Sequence, residues 1–287
     1  MNNISVVIPV YNEERHIADC LNAIINNTVK PLEIIVADGG SEDKTAAIAK
    51  SFKFVKVLPN PQKTAGCGRN TGIRAAKGDI IAFTDGDCIV DKHWIENIQK
   101  AFSENELDGI GGKVIAAKPC NRYEAYWNKL AWSILMSFGD KPYMVEKRSL
   151  NDCFVTANCA YKKKLLYELN GFDKWFGNNA EDTDLSWRAF NMGAKLMYYP
   201  DAKIYAHGVK SLSGIRKKSF RNGVSSSKLQ KRYGSFINYD VNIYKVLFSS
   251  IGRLIMQEKD AWLDVNELVF HLLGKYYGSL RCGIINV

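Results

Sequence analysis

The N-terminal part of the chain repeats one pattern. Short apolar runs rich in β-branched residues alternate with stretches whose apolar residues recur every three to four positions. Ile4–Ile8, Leu32–Ala37, Phe54–Leu58 and Ile80–Thr84 predict strands, and Arg15–Asn26, Asp43–Ser51, Gly66–Ala76 and His93–Phe102 predict helices. This alternation predicts right-handed βαβ units and a mostly parallel, Rossmann-like α/β sheet flanked by helices. In such sheets ligands bind beyond the carboxyl ends of the strands, so chemistry is expected in the loops after Ile8, Ala37 and Thr84.

The later pattern is less regular. Gly109–Ala117, Cys153–Tyr161, Lys195–Tyr199 and Lys203–Ala206 predict short strands. Tyr123–Phe138 and Asp184–Asn191 predict helices, with Gly139–Asp152 a polar, flexible loop. Beyond His207 the periodicity is helical over Ser211–Arg232, Val241–Met256 and Leu263–Leu280.

Composition narrows the class. The chain has 287 residues, 46% hydrophobic and 24% charged, which suits a globular protein and excludes disordered, collagen-like and disulfide-scaffold chains. The longest stretch without Asp, Glu, Lys or Arg is residues 1–12, short of the roughly 18 apolar residues a membrane span needs. No basic segment precedes an apolar one, so no signal peptide is expected. The seven scattered cysteines form no CxxC pair and predict reduced thiols in a cytoplasmic protein, without zinc or disulfides.

The net charge of +9 is local. Residues 203–232 hold nine Lys and Arg and no acid, while acids and bases balance on either side. So one-sided a segment points to an anionic partner: phosphate, membrane surface or nucleic acid.

The loop after the fourth predicted strand reads Thr84-Asp85-Gly86-Asp87. Paired carboxylates at a strand end suit a hard divalent cation, which shares its remaining sites with substrate phosphates. Alone, this spacing is also a common turn. Its context is more specific. Pro9-Val10-Tyr11-Asn12-Glu13 follows the first strand, Asp38-Gly39-Gly40-Ser41 the second, and Gly66-Cys67-Gly68-Arg69-Asn70-Thr71-Gly72 precedes the carboxylate pair. Downstream lies Ala180-Glu181-Asp182-Thr183-Asp184-Leu185-Ser186-Trp187-Arg188, then His207-Gly208.

This ordered set resembles the family 2 glycosyltransferases of the GT-A fold, over about residues 1–210. The resemblance implies an inverting transfer from a nucleotide-diphosphate sugar, UDP by default, to a hydroxyl of a glycan or lipid-linked acceptor. Pro9, Tyr11 and Glu13 would border the nucleobase, Asp38 with Gly40 would bind it, and Arg69, Asn70 and Asp85 would serve base, ribose or diphosphate. Asp87, Asp85 and His207 would hold Mn2+ or Mg2+. Asp182 would be the general base with Glu181 beside it, Asn158 and Trp187 would lie on the acceptor side, and Asp184 would cap its helix. His16, His93 and His271 need no function.

The division expected is a catalytic domain over 1–210, with a donor half to about 117 and an acceptor half beyond it, followed by a basic helical region over 211–287. Arg216 or Arg221 could neutralise the leaving diphosphate. The remaining cations could face anionic lipid or a lipid-linked phosphate, on the inner face of the cell membrane. The last helices could dock on the catalytic domain, pair with a second copy, or lie in a membrane interface. A nucleotidyltransferase would need a glycine-rich phosphate loop after the first strand, where Pro9–Glu13 stands. A nucleic-acid binder would need a reader motif. The basic segment has none, and only Tyr205, Phe220 and Tyr233 lie near it.

Overall fold

The computed structural model describes residues 3–135, 139–149, 153–234, 249–251, 253–256, 258 and 260–284. By their contacts they form two units, one of Met1–Ala117 with Leu135–His207, the other of Lys118–Ile134 with Gly208–Val287.

The first unit is built on one mixed sheet. Strands β1 (Ile4–Val10), β2 (Glu33–Asp38), β3 (Val55–Pro59) and β4 (Ile80–Phe83) are its parallel part. They are joined through helices α1 (Ile17–Ile25), α2 (Thr45–Ser51) and α3 (Ala65–Ala75). The chain continues through β5 (Cys88–Val90), α4 (Trp94–Glu104) and β6 (Gly109–Ala116). Further on come β7 (Tyr143–Met144), β8 (Cys159–Lys162), α6 (Lys163–Glu168), α7 (Glu181–Asn191) and β9 (Leu196–Ala206). The strand order is β3-β2-β1-β4-β8-β6-β9-β5, with β7 on β9. β8 runs antiparallel to both β4 and β6, so the sheet is parallel at one side and mixed at the other.

The apolar runs are continuous because both faces of this sheet are covered. Val6 and Ile8 pack on one side with Ile17, Leu21 and Ile24 of α1, while Val7 packs on the other with Ile73, Phe83 and Leu166. Residues Ile17, Cys20, Leu21 and Ile24 recur at helical spacing, which is why α1 lies flat on the sheet.

Several boundaries differ from the pattern. Cys153–Tyr161 holds a strand only from Cys159, because residues 153–158 turn before β8. Lys195–Tyr199 and Lys203–Ala206 are one strand, β9, with an irregularity where it pairs with Gly112 and Lys113. Of the expected loop Gly139–Asp152, residues 150–152 lie outside the described residues, as do 136–138 of the expected helix and most of Val241–Met256.

The second unit is helical: α5 (Arg122–Leu135, its last residue assigned to the first unit), α8 (Leu212–Tyr233) and α9 (Ala261–Cys282). Glu124 of α5 is fully buried and accepts from the backbone N–H of Cys120 (2.8 Å) and Gly208 (3.0 Å). Tyr126 donates to Asp264 of α9 at 2.9 Å. α8 and α9 cross closely. Ser227 donates to the Lys275 carbonyl at 2.8 Å, and a Cβ on Gly274 would stand 2.0 Å from the Phe220 carbonyl oxygen.

Candidate active site

β2, β1 and β4 are neighbours, and their carboxyl ends bring three loops together. The first two are tied by hydrogen bonds between residues far apart in the chain. The Asn12 and Glu13 N–H groups donate to Ser41 Oγ (3.0 Å) and Thr45 Oγ1 (2.7 Å), and the Glu42 N–H donates to Asn12 Oδ1 (2.9 Å). Asp38, the last residue of β2, accepts from Ser41 Oγ at 2.6 Å. Gly40 has a φ of +78°, which glycine tolerates without strain. These bonds leave Tyr11 standing 46% exposed at the end of β1, an open aromatic face. Pro9 is buried within β1.

The third loop carries Asp85 and Asp87. Burial, then the adjacent Asp85 charge, pushes the Asp87 carboxyl above the usual carboxylate range, and the His207 imidazole partly offsets this. His207 follows β9, and its ring lies 5.3 Å from the His16 ring, with His16 Nδ1 3.2 Å from Glu13 Oε2. His16, which the sequence pattern gives no function, therefore joins this cluster. The only hint was its spacing three residues after Glu13.

Arg69 organises the centre. It sits on α3, is 3% exposed, and holds Asp85 Oδ1 through Nη2 (2.7 Å) and Glu181 Oε1 through Nη1 (2.8 Å). The two carboxylates raise its pKa further despite burial. Glu181 opens α7, 112 positions from Arg69. One guanidinium thus fastens the Asp85–Asp87 loop to the acidic start of α7. Arg69 is committed to this bridge and is not free to reach a base. Burial, then the Asp182 charge, pushes Glu181 up to about 7, and Arg69 offsets only part of this. Arg69 Nε and Glu181 Oε2 are buried with no hydrogen-bond partner among the described residues.

Next to this pair Asp182 is only half-buried and accepts from the Thr183 N–H at 2.8 Å. Of the acids in this run it is the one open to a ligand. Asp184 lies in the acidic first turn of α7, whose N-cap residue is Ala180. Asp184 is fully buried and bonded to Arg188 at 2.7 Å, and Arg188 also donates to the Leu169 and Gly171 carbonyls.

Three expected ligand contacts prove to be framework. Asn158 is 1% exposed, with its Oδ1 accepting from Trp94 Nε1 and its Nδ2 donating to the Lys113 and Ala202 carbonyls. Its amide is used up inside the sheet and cannot face an acceptor. Asn70 donates to the Phe172 carbonyl and accepts from the Phe172 N–H, each at 2.8 Å, so it clamps that loop. Trp187 is buried, donates to the Ser149 carbonyl at 3.1 Å, and carries the Arg148 guanidinium over its ring. It anchors residues 148–149. In a single sequence a buried amide clamp and a ligand contact look alike. Arg216 and Arg221 belong to the second unit, where Arg216 donates to Asn266 Oδ1 and lies 5.3 Å from the Phe270 ring centroid.

The carboxylate pair fits a divalent cation, since Asp87 is disfavoured as an anion first by its burial and then by the neighbouring Asp85 charge, both of which a bound cation would offset. Among the described residues no group of three His, Cys, Asp or Glu could hold a metal alone. The remaining ligands would come from diphosphate and water, the usual arrangement for Mg2+.

Residues 5–169 match the sequence profile of Glycosyl transferase family 2. The chain is 30% identical over 234 residues to glycosyltransferase AglE of Haloferax volcanii, covering 77% of this chain and 71% of AglE. Its fold resembles that of the mannosyltransferase PcManGT of Pyrobaculum calidifontis, solved with GDP-Man and Mn2+. The TM-score is 0.69 at 17% identity, over 98% of this chain and 88% of PcManGT. It also resembles residues 1–349 of S. aureus TarS solved with UDP, with a TM-score of 0.58 at 17% identity over 98% and 92%. The sheet is that of a GT-A glycosyltransferase, and the chain belongs to glycosyltransferase family 2.

Proposed function

We propose that this glycosyltransferase uses a nucleotide-diphosphate sugar and a divalent cation to glycosylate a hydroxyl of a glycan or lipid-linked acceptor with inversion. The observation that carries this is the Arg69 bridge, which joins the Asp85–Asp87 loop to the acidic start of α7 in one site. The complexes of the fold neighbours with UDP and with GDP-Man and Mn2+ support the same reading.

In this reading Tyr11 stacks on the base and Asp38, held by Ser41, accepts a hydrogen bond from it. Asp87 and Asp85, with His207 beside them, would hold Mn2+ or Mg2+, which would neutralise charge on the leaving diphosphate. Asp182 takes the proton of the acceptor hydroxyl as that oxygen bonds to the anomeric carbon. The bond from that carbon to the diphosphate oxygen breaks, and its electron pair leaves with the nucleotide. Glu181 and Arg69 keep Asp182 and Asp85 in register.

Calorimetric titration with UDP, GDP and dTDP, each with Mn2+ and with EDTA, tests the donor site. We expect one nucleotide to bind, UDP by preference, and only with metal. Asp87→Ala should abolish that metal dependence. Equal binding in EDTA, or normal donor turnover by the Asp87→Ala variant, would refute the metal assignment.

A further inference from the structure

The second unit carries a surface on which exposed apolar side chains and cations lie together. Val269, Leu273, Tyr276 and Leu280 of α9 are exposed, Leu280 by 62%. Steps of four, three and four residues place them in one stripe along the helix. Beside the stripe, Tyr277 meets Phe220 of α8, with ring centroids 5.7 Å apart. Ser213, Arg216, Lys217, Phe220 and Arg221 then line, with Phe270, an open cavity of about 510 Å³. Lys217, Lys218 and Arg221 pair with no carboxylate among the described residues. Apolar side chains therefore run alongside unpaired cations, with aromatic rings between them.

The Gly274 and Ser227 contacts hold α8 against α9, so the two halves of this surface keep their positions. We propose that this face of the α8–α9 pair binds an anionic lipid bilayer. The stripe would enter the headgroup boundary while Lys217, Lys218 and Arg221 meet lipid phosphates. Charge complementarity selects this occupant. A second copy docking through the same face would set the acid-free segment 203–232 near its own image, like charge against like. A nucleic acid would satisfy the cations but leave Leu273 and Leu280 without apolar partners. No helix among the described residues is long and apolar enough to cross a membrane.

Flotation of the full chain with vesicles of phosphatidylcholine, alone or mixed with phosphatidylglycerol, tests this independently of any donor. The chain should float with the mixed vesicles only, and less as salt rises. Lys217→Glu with Lys218→Glu should lower vesicle binding about tenfold or more. Leu273→Ser with Leu280→Ser should lower it comparably. All these positions lie at or near the surface, so both variants should keep the wild-type circular dichroism and melting transition. Three results would overturn the proposal: no flotation with anionic vesicles, equal flotation with neutral ones, or variants that fold normally and float like wild type. A wild-type dimer broken by the leucine substitutions would instead assign the stripe to a second copy.

Discussion

The two units treat charge in opposite ways. In the first, Arg69 is buried and held by two carboxylates from distant parts of the chain. In the second, Lys217 and Arg221 are exposed beside apolar side chains. A buried guanidinium costs several kcal/mol in desolvation, on the order of what its partners return, so such a bridge is retained for the geometry it imposes. Exposed cations cost little and impose no geometry. They are suited to a partner that is itself a surface. Buried charge therefore marks where atoms must be positioned, and exposed one-signed charge marks what is approached.

The sharpest way to break this contrast is Asp182→Asn. It keeps the shape at the start of α7 and removes the proton acceptor. Steady-state turnover should fall about 10²–10⁴-fold, while calorimetric nucleotide affinity stays within about twofold of wild type. A mere rise in the donor KM would move Asp182 from the reaction to the binding of the donor. In the second unit the largest effect belongs to Gly274→Ala, whose methyl carbon would stand 2.0 Å from a backbone oxygen of α8. We expect a loss of about 1–3 kcal/mol, seen as faster hydrogen exchange in α8 and α9 and unchanged exchange in β1 and β4.

The first unit was the more legible from sequence, for a physical reason. A sheet covered on both faces writes long apolar runs, and the small and acidic residues at its strand ends stand out against them and carry the family resemblance. β1, β2, β4 and the Asp85–Asp87 loop could be read in that way. Partnership could not. Nothing in the order of residues says that Arg69 holds Glu181 rather than a base, or that Asn158 spends its amide on Trp94 and two carbonyls. Long-range pairing has no local pattern, and buried polar residues look alike whether they clamp a loop or wait for a ligand. For the same reason α5 gave no sign of belonging with α8 and α9. It is reached through Glu124 and Tyr126, whose partners lie far along the chain.

Glu181 offers a subtler test of the buried bridge. Its pKa stands near 7 in the folded protein, above its ordinary value of 4.5. Between those values the folded state holds more protons than the unfolded state, so this residue makes stability fall as pH rises through that window. Glu181→Gln removes the titration. The variant should gain stability relative to wild type on going from about pH 5 to about pH 8, a change read from paired melting curves. A difference that stays constant with pH would mean that Arg69 keeps Glu181 ionised throughout.

The smallest expected effects come from matching perturbations in the two units. Thr64 caps α3, its side chain accepting from the Cys67 N–H at 3.3 Å, and Ser211 caps α8, accepting from the Gly214 N–H at 3.1 Å. Each cap removed by alanine should cost about 1 kcal/mol. Equal chemistry should nevertheless have unequal consequences. Fraying the first turn of α3 loosens the helix that carries Arg69, so Thr64→Ala should lower donor turnover a few-fold at saturating metal, on the order of 1 kcal/mol. Fraying the first turn of α8 loosens Ser213 and Arg216 at the edge of the basic cavity, so Ser211→Ala should leave donor turnover unchanged and weaken vesicle flotation slightly. If both variants lowered turnover alike, the division of labour between positioned and approached charge would fail, because α8 would then serve the reaction itself.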